Sequence, residues 1–182
     1  MWAKSAHVFS YNGLGDRLSQ NGVNYTLDLN AGLTQVLADG TNTYLYGLGR
    51  IAERQGTASE YYLGDALGSV RQLTNNSGTV TLARSYDPFG KTAQTIGTAQ
   101  TDYGFTGEFT DASGLIYLRA RYYQSLTGRF TSRDSFEGNV NIPASLNRFN
   151  YAHSNPVMNT DPSGHCIFAG VDTVLCAALG GG

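Results

Sequence analysis

Glycines recur along this chain at nearly regular intervals, each beside a short run of alternating apolar and polar residues. The steps between successive marker glycines are 17, 17, 19, 22, 17 and 21 residues. The markers are Gly15, Gly32, Gly49, Gly68, Gly90, Gly107 and Gly128. A period of this length holds one β-hairpin, which cannot bury its own apolar face, so successive hairpins must join into a continuous sheet. The repeat predicts a mainly β protein made of consecutive antiparallel hairpins.

The residues between the glycines show the two-residue period of strands. Apolar side chains occupy every second position of VNYTLDL, and LTNNSGTVTLARSY indicates two strands joined by an Asn-Asn-Ser-Gly turn. GLIYLRARYY predicts one strand, with Tyr122 on the same face as Ile116. Helical periodicity occurs only in NIPASLNRFNYA and in the C-terminal tail. We therefore expect little helix before residue 130.

Composition excludes two classes of protein. Only 14% of the residues are charged and the formal net charge is −2, so the chain lacks the basic surface that binds nucleic acid. Residues 1–20 lack the apolar run of a secretory signal peptide, and no stretch of 18 apolar residues predicts a transmembrane segment.

Four longer motifs follow one another in the rest of the chain. They are YYLGDALGSVRQLTNNSGTV, YDPFGK, YGFTGEFTDASGLIYLRARYYQSLTGRFTSRD and NRFNYAHSNPVMNTDPSG. From Tyr61 to Gly164 these motifs together resemble the Rhs repeat-associated core, the C-terminal end of Rhs and YD-repeat proteins. The repeats before Tyr61 resemble the same proteins more weakly.

The resemblance implies a shell-forming protein. Members of the family wind a β-sheet strip into a hollow cocoon, and a variable C-terminal segment, often a toxin, follows the core. On this basis residues 1–60 are YD-type β-hairpin repeats, residues 61–164 are the core, and residues 165–182 begin the variable segment as a short hydrophobic tail. The implied fold is a curled or spiral antiparallel sheet with a compact closing segment from about Asp134. The implied partners are a C-terminal cargo segment and the rest of a longer chain, and the implied location is secreted or cell surface after bacterial-type export.

The resemblance further implies an aspartic autoprotease. Family members bring two carboxylates together with two Asp-Pro-x-Gly elements, and cleavage follows one residue beyond the second glycine. The second element is intact here and consists of Asp161, Pro162, Ser163 and Gly164. The first element reads SRDSFEG, in which serine instead of proline follows Asp134. The implied catalytic pair is Asp134 and Asp161, and the implied cleaved bond joins His165 to Cys166.

Both aspartates also have a purely structural interpretation, which the sequence leaves open. Asp134 would then cap a turn, and Asp161 would open one. Arg129 and Arg133 lie close to Asp134 in sequence, and each would either hold its charge or brace the sheet. Of the two, Arg133 is the weaker catalytic candidate that we retain. In the family, Leu or Met is commoner at the position of His165.

The two cysteines indicate no cofactor. Cys166 and Cys176 are ten residues apart, a spacing that matches no strong zinc pattern, and a disulfide between them stays open. His165 and Cys166 are adjacent, so in an extended chain their side chains point to opposite faces and a direct thiol–imidazole dyad is not expected. We predict no metal and no cofactor.

A second function, from a different class, also stays open. A short strip of hairpins has unpaired backbone at its first and last strands, and other copies of the chain would pair with those edges. The chain would then be an extracellular structural or adhesive protein that self-assembles by β-strand addition, without catalysis.

Overall fold

The computed structural model describes residues 7–165, and the chain divides into two compact units, Met1–Tyr61 and Tyr62–Gly182. Antiparallel strands dominate both units, which confirms the predicted mainly β fold. Within residues 7–165, no helix is long and apolar enough to cross a membrane. Cys166, Cys176 and the predicted hydrophobic tail lie outside the described residues.

The first unit contains two runs of paired strands. Its strands are β1 (Phe9–Tyr11), β2 (Arg17–Gln20), β3 (Val23–Asn24), β4 (Thr26–Asp28), β5 (Gln35–Ala38), β6 (Thr43–Tyr46), β7 (Arg50–Gln55) and the first part of β8 (Ala58–Gly64). Strands β1 to β3 form a three-stranded antiparallel sheet, and from β4 to β8 each strand pairs with the next. VNYTLDL is therefore divided between two strands, β3 and β4. The Tyr25 N–H still bonds to the carbonyl of Leu18 in β2, whereas Thr26 already pairs with Ala38 of β5.

The second unit contains two further runs of strands. Its strands are the end of β8, then β9 (Val70–Asn75), β10 (Val80–Tyr86), β11 (Thr92–Gly97), β12 (Phe109–Thr110), β13 (Ile116–Leu118), β14 (Arg121–Gln124) and β15 (Arg129–Phe130). Strands β8 to β11 lie side by side in chain order, and β12 to β15 form a four-stranded antiparallel sheet. Short 3-10 turns cover Phe105–Gly107, Pro143–Leu146 and Ala152–Ser154. NIPASLNRFNYA thus contains 3-10 turns and isolated β-bridges instead of an α-helix, and the marker Gly107 lies in a 3-10 turn instead of in a hairpin.

Five loops share one conformation, and they contain three of the seven marker glycines, Gly15, Gly68 and Gly90. Each begins with Asp or Asn, whose side-chain oxygen accepts the N–H groups two and four residues later, and each has a left-handed glycine at its fourth position. The loops begin at Asn12, Asp65, Asn75, Asp87 and Asp111. Glycine adopts a positive φ without steric cost, and Asp and Asn side chains replace backbone acceptors in tight turns.

The GLIYLRARYY run is a hairpin, and not the single strand that its sequence predicts. Arg119 and Ala120 form the turn between β13 and β14, and Arg119 has φ 58°. This turn shifts the two-residue period by one position, so the buried residues after it are Arg121 and Tyr123 instead of Ala120 and Tyr122. The correction brings a charged side chain, Arg121, into the interior.

Aromatic residues form the core beneath this hairpin. Tyr123 stacks on Tyr151 with ring centroids 4.2 Å apart, and Phe105 and Phe130 pack against both rings. Ile116, Leu118 and Ala152 complete the cluster. Aromatic pairs of this kind contribute about 0.5–1.5 kcal/mol each beyond simple burial. Because Tyr151 belongs to the closing segment, the cluster anchors that segment against β13, β14 and β15.

Candidate active site

Arg121, at the start of β14, brings the two predicted catalytic aspartates together. Its Nη2 lies 2.7 Å from Oδ2 of Asp134 and 3.3 Å from Oδ2 of Asp161. The two carboxylate oxygens therefore lie no farther apart than the sum of these distances, although 27 residues separate the aspartates in sequence. All three side chains are buried, with 4% of Arg121, 10% of Asp134 and 3% of Asp161 exposed.

The rest of the Arg121 guanidinium is also bound. Nε donates to the Gly164 carbonyl, and Nη1 donates to the Arg148 carbonyl at 3.0 Å. The face of the guanidinium lies 3.6 Å from the ring centroid of Phe130, within the range of a cation–π contact. A planar group that binds on every edge and on one face has a fixed orientation. Arg121 thus fixes both carboxylates relative to the chain just before the predicted cleavage point.

Burial and charge act on this cluster in opposite directions. Burial lowers the pKa of Arg121 from its ordinary value, and the negative charges of Asp134 and Asp161 oppose that change. Burial by itself would raise the pKa of Asp134, but hydrogen bonds from His165 and from the Phe136 N–H, with the charge of Arg121, lower it overall. Asp134 is therefore held in its ionised form.

The Asp161-Pro162-Ser163-Gly164 turn has the same backbone hydrogen bond and left-handed glycine as the repeated loop, but its side-chain contacts differ. The Gly164 N–H donates to the Asp161 carbonyl at 3.3 Å, and Gly164 has φ 73°. The His165 N–H, however, donates to Ser163 Oγ, whereas the equivalent amide of the other loops donates to the side chain of the first loop residue. Ser163 Oγ in turn donates to Asp161 Oδ1. Oδ2 of Asp161 faces Arg121.

The β13–β14 hairpin holds this turn through its backbone. The Ala120 N–H donates to the Ser163 carbonyl at 3.2 Å, and Nη1 of Arg119 donates to the Pro162 carbonyl and to Glu108 Oε1. A Cβ atom at Gly164 would collide with the Leu118 carbonyl oxygen. Glycine at position 164 is thus required both by its left-handed backbone and by the close approach of the hairpin.

Asp134 is fixed from the opposite side by the closing segment. Its N–H donates to the Arg148 carbonyl at 3.0 Å, and the Arg148 guanidinium donates back to the Asp134 carbonyl. Its Oδ1 accepts the Phe136 N–H at 3.0 Å. Asp134 therefore caps a turn, as its structural interpretation predicts, and at the same time faces Arg121 and Asp161.

His165, the residue before the predicted cleavage point, also contacts the cluster. Its Nδ1 lies 3.1 Å from Asp134 Oδ1, and 45% of its side chain is exposed. Cys166, on the other side of that bond, lies outside the described residues. The structure thus brings together Asp134, Asp161 and His165 from three separate points in the sequence.

The arginines that sequence proximity suggested are not the ones that contact Asp134. Arg129 and Arg133 are exposed, and no ion pair within residues 7–165 joins either of them to Asp134. Arg121 and Arg148 make those contacts instead. The sequence signal that could have identified Arg121 is its place in the aromatic run YLRARYY. A charged residue in such a run is buried only when it is paired.

The sequence matches the family model described as the teneurin YD-shell over residues 25–157. The match covers both units and most of the predicted core.

Two curated proteins illustrate the relatives. The chain is 30% identical to the tRNA3(Ser)-specific nuclease WapA of Bacillus spizizenii over 93% of its own length and 8% of the length of that protein. It is 31% identical to toxin subunit YenC1 of Yersinia entomophaga over 64% of its own length and 12% of that protein. The chain thus spans only a small part of each relative.

Solved structures agree on the fold. The crystal structure of TcdB2-TccC3-Cdc42 aligns with 87% of this chain and 9% of that chain, with a TM-score of 0.67 and 21% sequence identity. At this identity the likeness concerns the fold alone.

Proposed function

We propose, from the premise that this chain belongs to the teneurin YD-shell family of Rhs and YD-repeat proteins, that it is the closing part of a β-sheet shell and cuts its own chain after His165. In this proposal residues 1–60 are shell hairpins, residues 61–164 form the core, and residues 165–182 begin the variable segment, of which residues 166–182 are released. The shell encloses or presents that segment, as a secreted or cell-surface protein would.

The observation that carries the proposal is the contact of one buried guanidinium with both aspartates and with the chain leading to His165. Arg121 binds Asp134, Asp161 and the Gly164 carbonyl at once. Two carboxylates beside a fixed peptide are the groups that aspartic hydrolysis uses.

The chemistry is the addition of water to a peptide bond. Water attacks the carbonyl carbon of His165 and passes one proton to an ionised carboxylate. The carbon–nitrogen bond then breaks, the nitrogen takes up a proton and leaves as the amino group of Cys166, and His165 ends in a carboxyl group. Because its pKa is lowered, Asp134 is the carboxylate that we assign as the base. Asp161 is the second carboxyl group of the proposed catalytic pair.

Intact masses of the purified, denatured chain test this function. We compare the parent with Asp134→Asn and Asp161→Asn, which keep the size of each side chain and remove its charge. We expect the parent to separate into residues 1–165 and 166–182, and each variant to keep a single full-length mass.

Two results would contradict autoproteolysis. Cleavage that persists in both variants would indicate an outside protease or acid scission at Asp161-Pro162. A full-length mass for all three proteins would mean that the cluster is a structural brace and that the core serves as architecture alone.

One observation favours self-assembly as a second function. Every residue of β11 is exposed, and within the described residues β11 is the last strand of its sheet. The segment from Thr92 to Thr101 contains no charged residue and no proline, the features that normally protect an edge from pairing. Sedimentation over a range of concentrations separates the two functions, because edge pairing gives a series of growing species.

A further inference from the structure

We propose that His165 is a proton-controlled cover on Asp134: the protonated imidazole holds the carboxylate, and loss of that proton frees it to activate water. The inference rests on the proposed function, because it concerns the conditions under which the bond after His165 is cut. It gives His165 a regulatory role. At this position the family resemblance implies an apolar side chain.

In the structure, both carboxylate oxygens of Asp134 are in contact with other groups. Oδ1 accepts the Phe136 N–H at 3.0 Å and lies 3.1 Å from Nδ1 of His165. Oδ2 lies 2.7 Å from Nη2 of Arg121. Of these three contacts, only the one with His165 involves a group that changes charge near neutral pH.

The backbone of His165 is held in place, and its imidazole is open to solvent. The His165 N–H donates to Ser163 Oγ, and Arg121 binds the preceding carbonyl of Gly164, so the backbone beside the imidazole is fixed. Nearly half of the His165 side chain is exposed, so its proton exchanges directly with water. The carboxylate beneath it is only 10% exposed. Movement of the imidazole would thus admit water to a buried carboxylate.

The cations that face Asp134 keep their charge across the relevant range. Arg121 from β14 faces Asp134 and also binds Asp161, and Arg148 from the closing segment binds the Asp134 backbone carbonyl. Arginines stay cationic throughout the range from about pH 5 to about pH 8. Asp134 stays ionised there, because its pKa is lowered from an ordinary value of 3.8.

The sign of the effect follows from these charges. At acid pH the imidazolium attracts the carboxylate, covers Oδ1 and weakens Asp134 as a base. As pH rises through the imidazole range this attraction is lost, so the carboxylate becomes available and cleavage accelerates.

The test follows the loss of intact chain after cell-free synthesis and transfer to buffers between about pH 5 and about pH 8, the range of imidazole titration. The parent is compared with His165→Leu, which removes the polar contact, and with His165→Asn, which keeps an uncharged donor. We expect the ratio of parent rate to His165→Leu rate to rise across this range, since only the parent carries an imidazole at position 165. The ratio of His165→Asn to His165→Leu should change less than about twofold, since neither side chain titrates.

His153→Asn is the matched control. It removes another imidazole of the closing segment, and asparagine tolerates the left-handed φ of 51° at that position. This variant should keep the pH dependence of the parent. A ratio of parent to His165→Leu that stays constant with pH would overturn the inference.

A second measurement does not depend on cleavage. In the Asp161→Asn background, NMR titration of the Asp134 carboxyl is compared with and without His165→Leu. We expect the pKa of Asp134 to be higher without the imidazole, because a hydrogen bond to the ionised form is lost. An unchanged Asp134 titration would overturn the inference even if the parent cleaves itself. If the titration shifts but the parent chain never cleaves itself, the proposed function is refuted and the control of Asp134 by His165 still stands.

Discussion

Asp134 and Asp161 share one guanidinium, because Nη2 of Arg121 lies 2.7 Å from the first carboxylate and 3.3 Å from the second. Removing Arg121 would leave two buried negative charges without their cation. We expect Arg121→Met to lower the free energy of unfolding by about 3–5 kcal/mol at pH 7, the cost of breaking a buried ion pair from one side. Urea unfolding followed by circular dichroism measures this loss.

Arg133→Met is the matched control for that change. Arg133 is exposed and precedes Asp134 directly in sequence. The substitution should alter the free energy of unfolding by no more than about 0.5 kcal/mol. Equal losses for Arg121→Met and Arg133→Met would mean that the central position of Arg121 has no energetic consequence.

The second prediction concerns Gly164, where backbone conformation and close packing act together. Gly164→Ala places a Cβ against the Leu118 carbonyl oxygen, whereas Gly114, at the same position of another loop with φ 81°, has no atom within 4 Å of an added Cβ. Both substitutions carry the cost of about 1–2 kcal/mol for a left-handed alanine. Only Gly164→Ala adds a steric clash, which costs about 1–3 kcal/mol more.

Thermal or urea unfolding of the two alanine variants isolates this second cost. Gly164→Ala should also slow self-cleavage, because the turn carries both Asp161 and the chain to His165. Equal stability of the two variants would mean that the close approach of the β13–β14 hairpin adds no steric cost at position 164.

The third prediction is a pH dependence of stability. The pKa of Asp134 is lowered in the folded protein, because hydrogen bonds and Arg121 outweigh the opposing effect of burial. A carboxyl of this kind contributes stability above its unfolded value of 3.8, and that stability is lost as pH falls from there through the lower folded value. The difference in free energy of unfolding between the parent and Asp134→Asn should therefore be largest at neutral pH and shrink below about pH 4.

Glu137→Gln provides the comparison for this titration. Glu137 is an exposed carboxyl three positions after Asp134. Its replacement should change stability little at any pH between about 2.5 and about 7. A constant difference between the parent and Asp134→Asn over this range would contradict the assignment of a lowered pKa to Asp134.

Much of the fold could be predicted from the sequence, because the repeated loops carry their own local signal. The Asn-Asn-Ser-Gly turn lies between β9 and β10 as predicted, since Asn75 supplies the side-chain acceptor and Gly78 supplies the positive φ. The turn at Arg119 and Ala120 has no such residue. Its left-handed arginine is stabilised by contacts with Glu108 and Pro162, which are distant in sequence. Local chemistry therefore could not reveal it.

The missed turn at Arg119 and Ala120 also explains why Arg121 was not among the predicted site residues. The family motif named Asp134 and Asp161, but the cation between them depends on which face of the strand Arg121 occupies. A one-residue shift in the strand period moves Arg121 from the surface to the interior. Arg129 and Arg133 were nearer to Asp134 in sequence, yet both are exposed. Sequence distance was a poor guide because the site is assembled by tertiary contacts.

The last prediction concerns the open edge of the second unit. The side chain of Ile96 is 60% exposed in β11, which pairs with β10 on one side and has no further strand beside it within the described residues. If copies of the chain associate through this edge, Ile96→Lys should reduce association strongly, because an edge lysine would lose hydration when another strand pairs with it. Sedimentation velocity over a hundredfold range of concentration measures the effect.

Leu126→Lys serves as the matched control, because Leu126 is 72% exposed but lies in the loop between β14 and β15. Each substitution adds one positive charge, so a general gain in solubility would appear in both variants. Loss of association in Ile96→Lys alone would identify β11 as the edge that pairs. Equal association of the parent and Ile96→Lys would exclude β11, and the assembly function would then need a different strand.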